Sequence, residues 1–144
     1  MQKYFKISTF YLALGLIMGV FYRELTKFNN FTGDTILGTV HTHTLVLGFL
    51  FFIIVLLLDK NFSLSKVKNF GKWLVTYNIG LIYLIVTLTF RGILQVTNSD
   101  FAGLNHIAGL GHVILGISLV WFCVIVNKAL KVNDKEKEEL YRVK

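Results

Sequence analysis

The sequence predicts an all-α bundle of four transmembrane helices, and three observations predict it. The 144 residues are 54% hydrophobic, with a mean hydropathy of +0.62, more apolar than an ordinary soluble domain. The apolar residues gather into four runs of about 20 residues, the length that crosses a bilayer core about 30 Å thick. The charges fall almost wholly between and beyond those runs. A membrane domain over residues 1–127 and a charged tail over residues 128–144 use up the chain, leaving no separate soluble domain.

The first span is expected over residues 4–22. Lys3 and Lys6 precede it in the manner of a secretory signal. The apolar stretch is long for a signal core, however, and no small-x-small cleavage site follows, so the span is read as retained. Gly15 and Gly19 form a small-xxx-small pair that lets another helix approach closely. Arg23 and Glu24 mark the membrane edge. The loop 25–36 holds the turn formers Asn29, Asn30 and Gly33, and Asp34 or Thr35 is a candidate cap for the next helix. The second span, residues 37–58, carries His41-Thr42-His43 near its start and no charge from Leu45 to Leu58.

Lys60, Lys66, Lys68 and Lys72 fill the loop 59–72. The third span, residues 73–94, starts with Trp73 and Tyr77 at one interface and ends near Arg91 and Gln95. After a short polar loop, 96–103, the fourth span covers residues 104–126 and opens with His106 and His112. The tail beyond it is expected to be a solvated helix end or disordered. Cys123, the only cysteine, excludes a disulfide framework and a Cys-based metal site. Inside an apolar run it is expected to be a small buried side chain.

The net charge of +7 does not indicate nucleic acid as a partner, because the basic residues lie where membrane topology places them. The N-terminus, the 59–72 loop and the tail hold twelve of the 15 Lys and Arg residues, and the other two loops hold three. By the positive-inside rule both termini are cytoplasmic. The chain is thus expected to be a multi-pass protein of the cell membrane, with the lipid bilayer as its surroundings.

That orientation gathers all four histidines, with Arg23 and Arg91, into one outer layer. Ionisable side chains at such depth are costly and commonly face a partner, a cofactor or water. His41 lies roughly 6 Å below Leu37, and His112 roughly 12 Å below Leu104, at about 1.5 Å per residue. Two imidazoles at similar depth on different helices are what six-coordinate haem iron requires. At about 100° per residue, His41 shares its face with Gly38, Thr44, Leu45 and Gly48. His112 shares its own with Ala108, Gly109, Leu115 and Gly116. Small residues on both faces leave room for a flat macrocycle.

His43 turns roughly 200° away from His41 and is assigned to a second metal site or a neighbouring subunit. His106 sits at the rim. Arg23 and Arg91 are candidates for holding haem propionates, which a guanidinium pairs bidentately, or else are interfacial anchors. The expected function is binding of haem b through His41 and His112, for electron transfer or for sensing of a gas or haem. Two alternatives stay open: a His-cluster copper or zinc protein, and a structural or assembly subunit whose histidines only hydrogen-bond between helices.

The stretches Gly19-Val-Phe-Tyr-Arg-Glu24, Leu37-Gly-Thr-Val-His-Thr-His43 with Gly48, Arg91-Gly-Ile-Leu-Gln95, and Gly109-Leu-Gly-His112 with Gly116 resemble a family of small four-span bacterial membrane proteins with no assigned function. The resemblance covers all four spans and supplies no chemistry. His41-Thr42-His43, near the outer end of a second helix, is also similar to the catalytic subunit of haem-copper oxidases. That subunit has three groups of four helices, with its metal-binding histidines on the second helix of each group. The likeness implies a homo-oligomer, a trimer with His43 facing its axis and the Gly15/Gly19 face in close contact. The chain has no proline, and hence no His-Pro-Glu copper-site pattern, and no Asp or Glu inside a span. Oxygen reduction with proton pumping is not implied.

Overall fold

The computed structural model describes residues 2–99 and 103–142. The described residues are helical and contain no strand. They form α1 (Gln2–Phe28), α2 (Leu37–His43), a π-helical segment (Thr44–Leu50), α3 (Phe51–Phe62), a short 3₁₀ turn (Leu64–Lys66), α4 (Phe70–Val96) and α5 (Leu104–Arg142). The segments α2, π and α3 run on as one span, so four helices are long and apolar enough to cross a membrane. The expected loop 96–103 lies partly outside the described residues.

Each helix outruns its apolar run. The largest extension is in α5, whose 39 residues reach roughly 58 Å at about 1.5 Å per residue. The tail thus continues the fourth span as helix through Arg142. Its Lys, Glu, Leu and Arg residues are good helix formers. The helix ends are set by asparagines in the left-handed conformation. Asn30 (φ 48°) and Asn98 (φ 54°) follow α1 and α4. At the first, Phe31 N donates to Thr26 O (2.9 Å) and Asn30 N to Lys27 O (3.2 Å). At the second, Ser99 N donates to Leu94 O (2.8 Å) and Asn98 N to Gln95 O (3.2 Å). These paired bonds satisfy the last free carbonyls, and Asn tolerates the conformation they require.

The start of α2 is capped from afar. Asp34 is exposed, and Ile36 N donates instead to Gln95 Oε1 at 2.8 Å. Thr35 Oγ1 lies 3.2 Å from both Gly92 O and Gln95 Oε1 and accepts from Leu37 N at 3.2 Å. The N-terminal end of the second span is thus fastened to the C-terminal end of α4. Gly92 makes the fastening possible: a Cβ there would stand 2.7 Å from Leu37 N and 2.8 Å from its Cα.

Span two is the hub. It packs on α1 and on α4, α4 packs on α5, and α1 does not touch α5. The half of the bundle around α3 and the start of α4 is aromatic. Phe51 stacks on Tyr77 (4.6 Å between ring centres), Trp73 on Phe122 (4.7 Å) and Tyr11 on Phe52 (5.8 Å). Trp73 and Tyr77, expected at an interface, are fully buried in this cluster. Trp73 Nε1 donates to Ser118 O at 2.9 Å, and Tyr11 Oη to Asn78 Oδ1 at 2.9 Å. In lipid the polar tips of these rings need partners, and the neighbouring helices provide them. Cys123, expected buried, is exposed on α5 beside core residue Phe122. An apolar run in lipid has no solvent-facing side to avoid, so hydrophobicity alone does not assign a residue to the core.

The π-helical segment sits midway along span two, directly after His43. Two carbonyls of its wider turn also accept from side chains of neighbouring helices. Tyr77 Oη donates to Leu47 O (2.9 Å), and Ser8 Oγ to Phe49 O (3.0 Å). Donors from α4 and α1 thus satisfy carbonyls that would be costly to leave free in hydrocarbon.

Candidate functional site

Where α2 faces the first turns of α5 the two backbones stand apart, and span two packs closely on α5 only through α3. Into that gap the two helices bring one histidine each. The ring centres of His43 and His112 are 6.2 Å apart, with planes at 87°. The sequence expectation set His41 opposite His112 and gave His43 to a second metal site or a neighbouring subunit; the ring the structure places beside His112 is that of His43.

His41 faces α1 instead. A Cβ on Gly19 would lie 3.8 Å from His41 Cβ and Cγ. The glycines sharing its face serve the same contact: Gly15 receives Leu45, Gly48 receives the Tyr11 ring, and Gly38 lies against Tyr22. The face was read correctly, but small residues there mark close approach of α1 rather than space for a ligand. His41 Nδ1 is buried without a hydrogen-bond partner among the described residues, and Nε2 lies 3.3 Å from Thr42 Oγ1.

The glycines around His112 are different. Nothing lies within 4 Å of a Cβ built on Gly109 or Gly116. Three residues before and four after His112, they share its side of α5 and leave a smooth open strip. Gly111, on another side, packs against Leu84 at 3.1 Å.

Hydrogen bonds fix the chemical state of the pair. His43 Nδ1 lies 2.9 Å from Thr39 O, and His112 Nδ1 lies 3.3 Å from Ala108 O. A carbonyl oxygen only accepts, so each Nδ1 carries the proton. That contact leaves each Nε2 directed away from its own helix backbone, the arrangement that a backbone carbonyl imposes on a metal-ligating histidine. At 6.2 Å with planes at 87° the two rings meet edge to face, an ordinary contact between aromatic side chains.

The other expected site residues are apart from this pair. His106 is exposed in the first turns of α5. Arg23 is on α1, its side chain 80% exposed and 4.0 Å from Glu24, the ion pair found among the described residues. Arg91 is half-buried beside Gly92. Among the described residues no group of three or more His, Cys, Asp or Glu side chains is gathered to hold a metal ion.

Residues 1–129 match the family described as protein of unknown function (DUF2871). The chain belongs to this family. The match covers all four spans and includes His43 and His112. No curated protein and no solved structure matches the chain.

Proposed function

We propose that this DUF2871 protein binds b-type haem in the gap between spans two and four, with His43 and His112 as axial ligands, and that it carries electrons. One observation supports the reading above the others: two rings from different helices, 6.2 Å apart, each with Nδ1 tied to its own helix. Such a pair offers two imidazoles to a metal, and among the described residues no third His, Cys, Asp or Glu is gathered with them. Bare copper or zinc sites take three or four protein ligands, whereas haem iron brings four nitrogens of its own and needs two. The open strip at Gly109 and Gly116 accommodates a flat ring beside His112.

His43 and His112 would hold such a group from two sides and leave no position for substrate, so the chemistry it would supply is one-electron transfer. Sensing of a gas or haem requires one ligand to leave. The distribution of Lys and Arg favours cytoplasmic termini and a site in the outer leaflet of the cell membrane. Both rings come from one chain, so the reading needs no threefold array and no likeness to haem-copper oxidases. The residues that suggested a trimer, His43 and the Gly15/Gly19 pair, are engaged within a single chain.

An absorption spectrum of the purified protein tests the proposal. A Soret band with split reduced bands, lost in His43→Ala and in His112→Ala, is the expected result. A colourless protein that takes up no added haem overturns it, and one copper or zinc per chain in its place moves the site to the metal alternative.

A further inference from the structure

A cavity of about 470 Å³ opens at the opposite end of the bundle, between the turn that follows α3 and the part of α5 beyond its apolar run. Lys66 and Lys68 line it from the turn, and Lys128 and Lys131 from α5. Phe62 and Ala129 lie in its apolar lining. No carboxylate lines it. Asp59, at the end of α3, is occupied inside the turn, where Oδ1 accepts from Ser65 N at 2.7 Å, and Asp134 follows the lining residue Asn133 without entering the lining. None of the four lysines has an ion-pair partner among the described residues.

Lysines at this end of the chain are expected from topology alone, but topology only spreads them along the polar segments. Here four of them, from segments some 60 residues apart in the sequence, converge on one concavity. Four ammonium groups around one space repel each other, and an anion placed among them relieves that repulsion. The apolar lining suits a ligand that is itself amphipathic. Basic pockets beside membrane helices take phosphate-bearing lipid headgroups for these two reasons together.

We propose that this cavity binds the phosphate of an anionic phospholipid, with the glycerol end of the lipid against Phe62 and Ala129. The site is independent of the haem reading and lies at the other end of the bundle.

The test is native mass spectrometry of the full chain in neutral detergent, titrated with phosphatidylglycerol, phosphatidylcholine or inorganic phosphate. Phosphatidylglycerol is expected to bind more tightly than phosphatidylcholine. Each lysine near an anionic group contributes a factor of about five, so K66A/K128A should weaken phosphatidylglycerol binding roughly 25-fold. K3A/K6A removes the same charge at the same end without touching the cavity, and should leave binding within about twofold. K66R/K128R keeps the charge and should retain binding, which separates loss of the site from loss of the fold. Equal weakening in K3A/K6A and K66A/K128A would reduce the effect to general surface charge and overturn the proposal. Inorganic phosphate binding as tightly as phosphatidylglycerol would make the ligand a soluble anion, and equal affinity for the two lipids would leave no anion site; either overturns it.

Discussion

Replacing glycines one at a time by alanine separates those that let helices touch from those that leave the site open. At Gly92 the added Cβ would stand 2.7 Å and 2.8 Å from Leu37 N and Cα. These are backbone atoms, which cannot rotate aside, so α2 must move away from α4. Such overpacking costs about 1–3 kcal/mol, against a helix-propensity gain of up to about 1 kcal/mol. The movement also stretches the Ile36 N to Gln95 Oε1 bond of 2.8 Å. Gly92→Ala is therefore expected to destabilise by about 1–2 kcal/mol. At Gly109 and Gly116 nothing opposes the new methyl, so the same change should be neutral or stabilising by up to about 1 kcal/mol. Unfolding in mixed micelles, followed by circular dichroism, reads all three variants. The larger Gly116→Leu fills the strip beside His112 and should abolish the haem spectrum in a folded protein. A neutral Gly92→Ala would refute the backbone crossing. An intact bis-His spectrum in Gly116→Leu would refute the position given to the macrocycle.

Three other outcomes are expected. His41→Ala should leave the haem spectrum unchanged, because that ring lies against Gly19; loss of the spectrum would restore His41 as an axial ligand. Tyr77→Phe deprives Leu47 O of its donor and should cost about 1–3 kcal/mol in the same unfolding assay, whereas no change would mean that the carbonyl has another partner. A reporter fused after Lys144 should report cytoplasm and one in the 28–33 loop the outside; the reverse pattern would move the histidines to the inner leaflet.

The four spans were legible because spanning depends on the length of an apolar run, a property of the sequence taken locally. Helix ends were less so: Asn30 was visible as a turn former and Asn98 only as part of a short polar loop, and the tail that extends α5 is polar and carries no stop signal. The histidines show where local reading ends. Periodicity correctly grouped His41 with Gly38, Leu45 and Gly48, yet it cannot say which helix lies opposite. A glycine beside a histidine looks the same in sequence whether it makes room for Tyr11, as Gly48 does, or leaves space open, as Gly116 does. The fastening of Ile36 by Gln95 joins residues 59 positions apart, and the π-helical turn has no residue pattern of its own.

The π-helical segment also bears on the order in which the protein is made. Membrane helices insert singly and associate afterwards. A lone span two in lipid has neither Tyr77 nor Ser8 to satisfy the carbonyls of Leu47 and Phe49, so its least costly inserted form is a regular α-helix. Docking of α1 and α4 supplies those donors and lets the turn widen. The widening rotates the His43 end of the span relative to Phe51 and Phe52, which the aromatic cluster holds. The angle at which His43 meets α5 is consequently created during association rather than insertion, and a cofactor recruited there would be recruited by the assembled bundle.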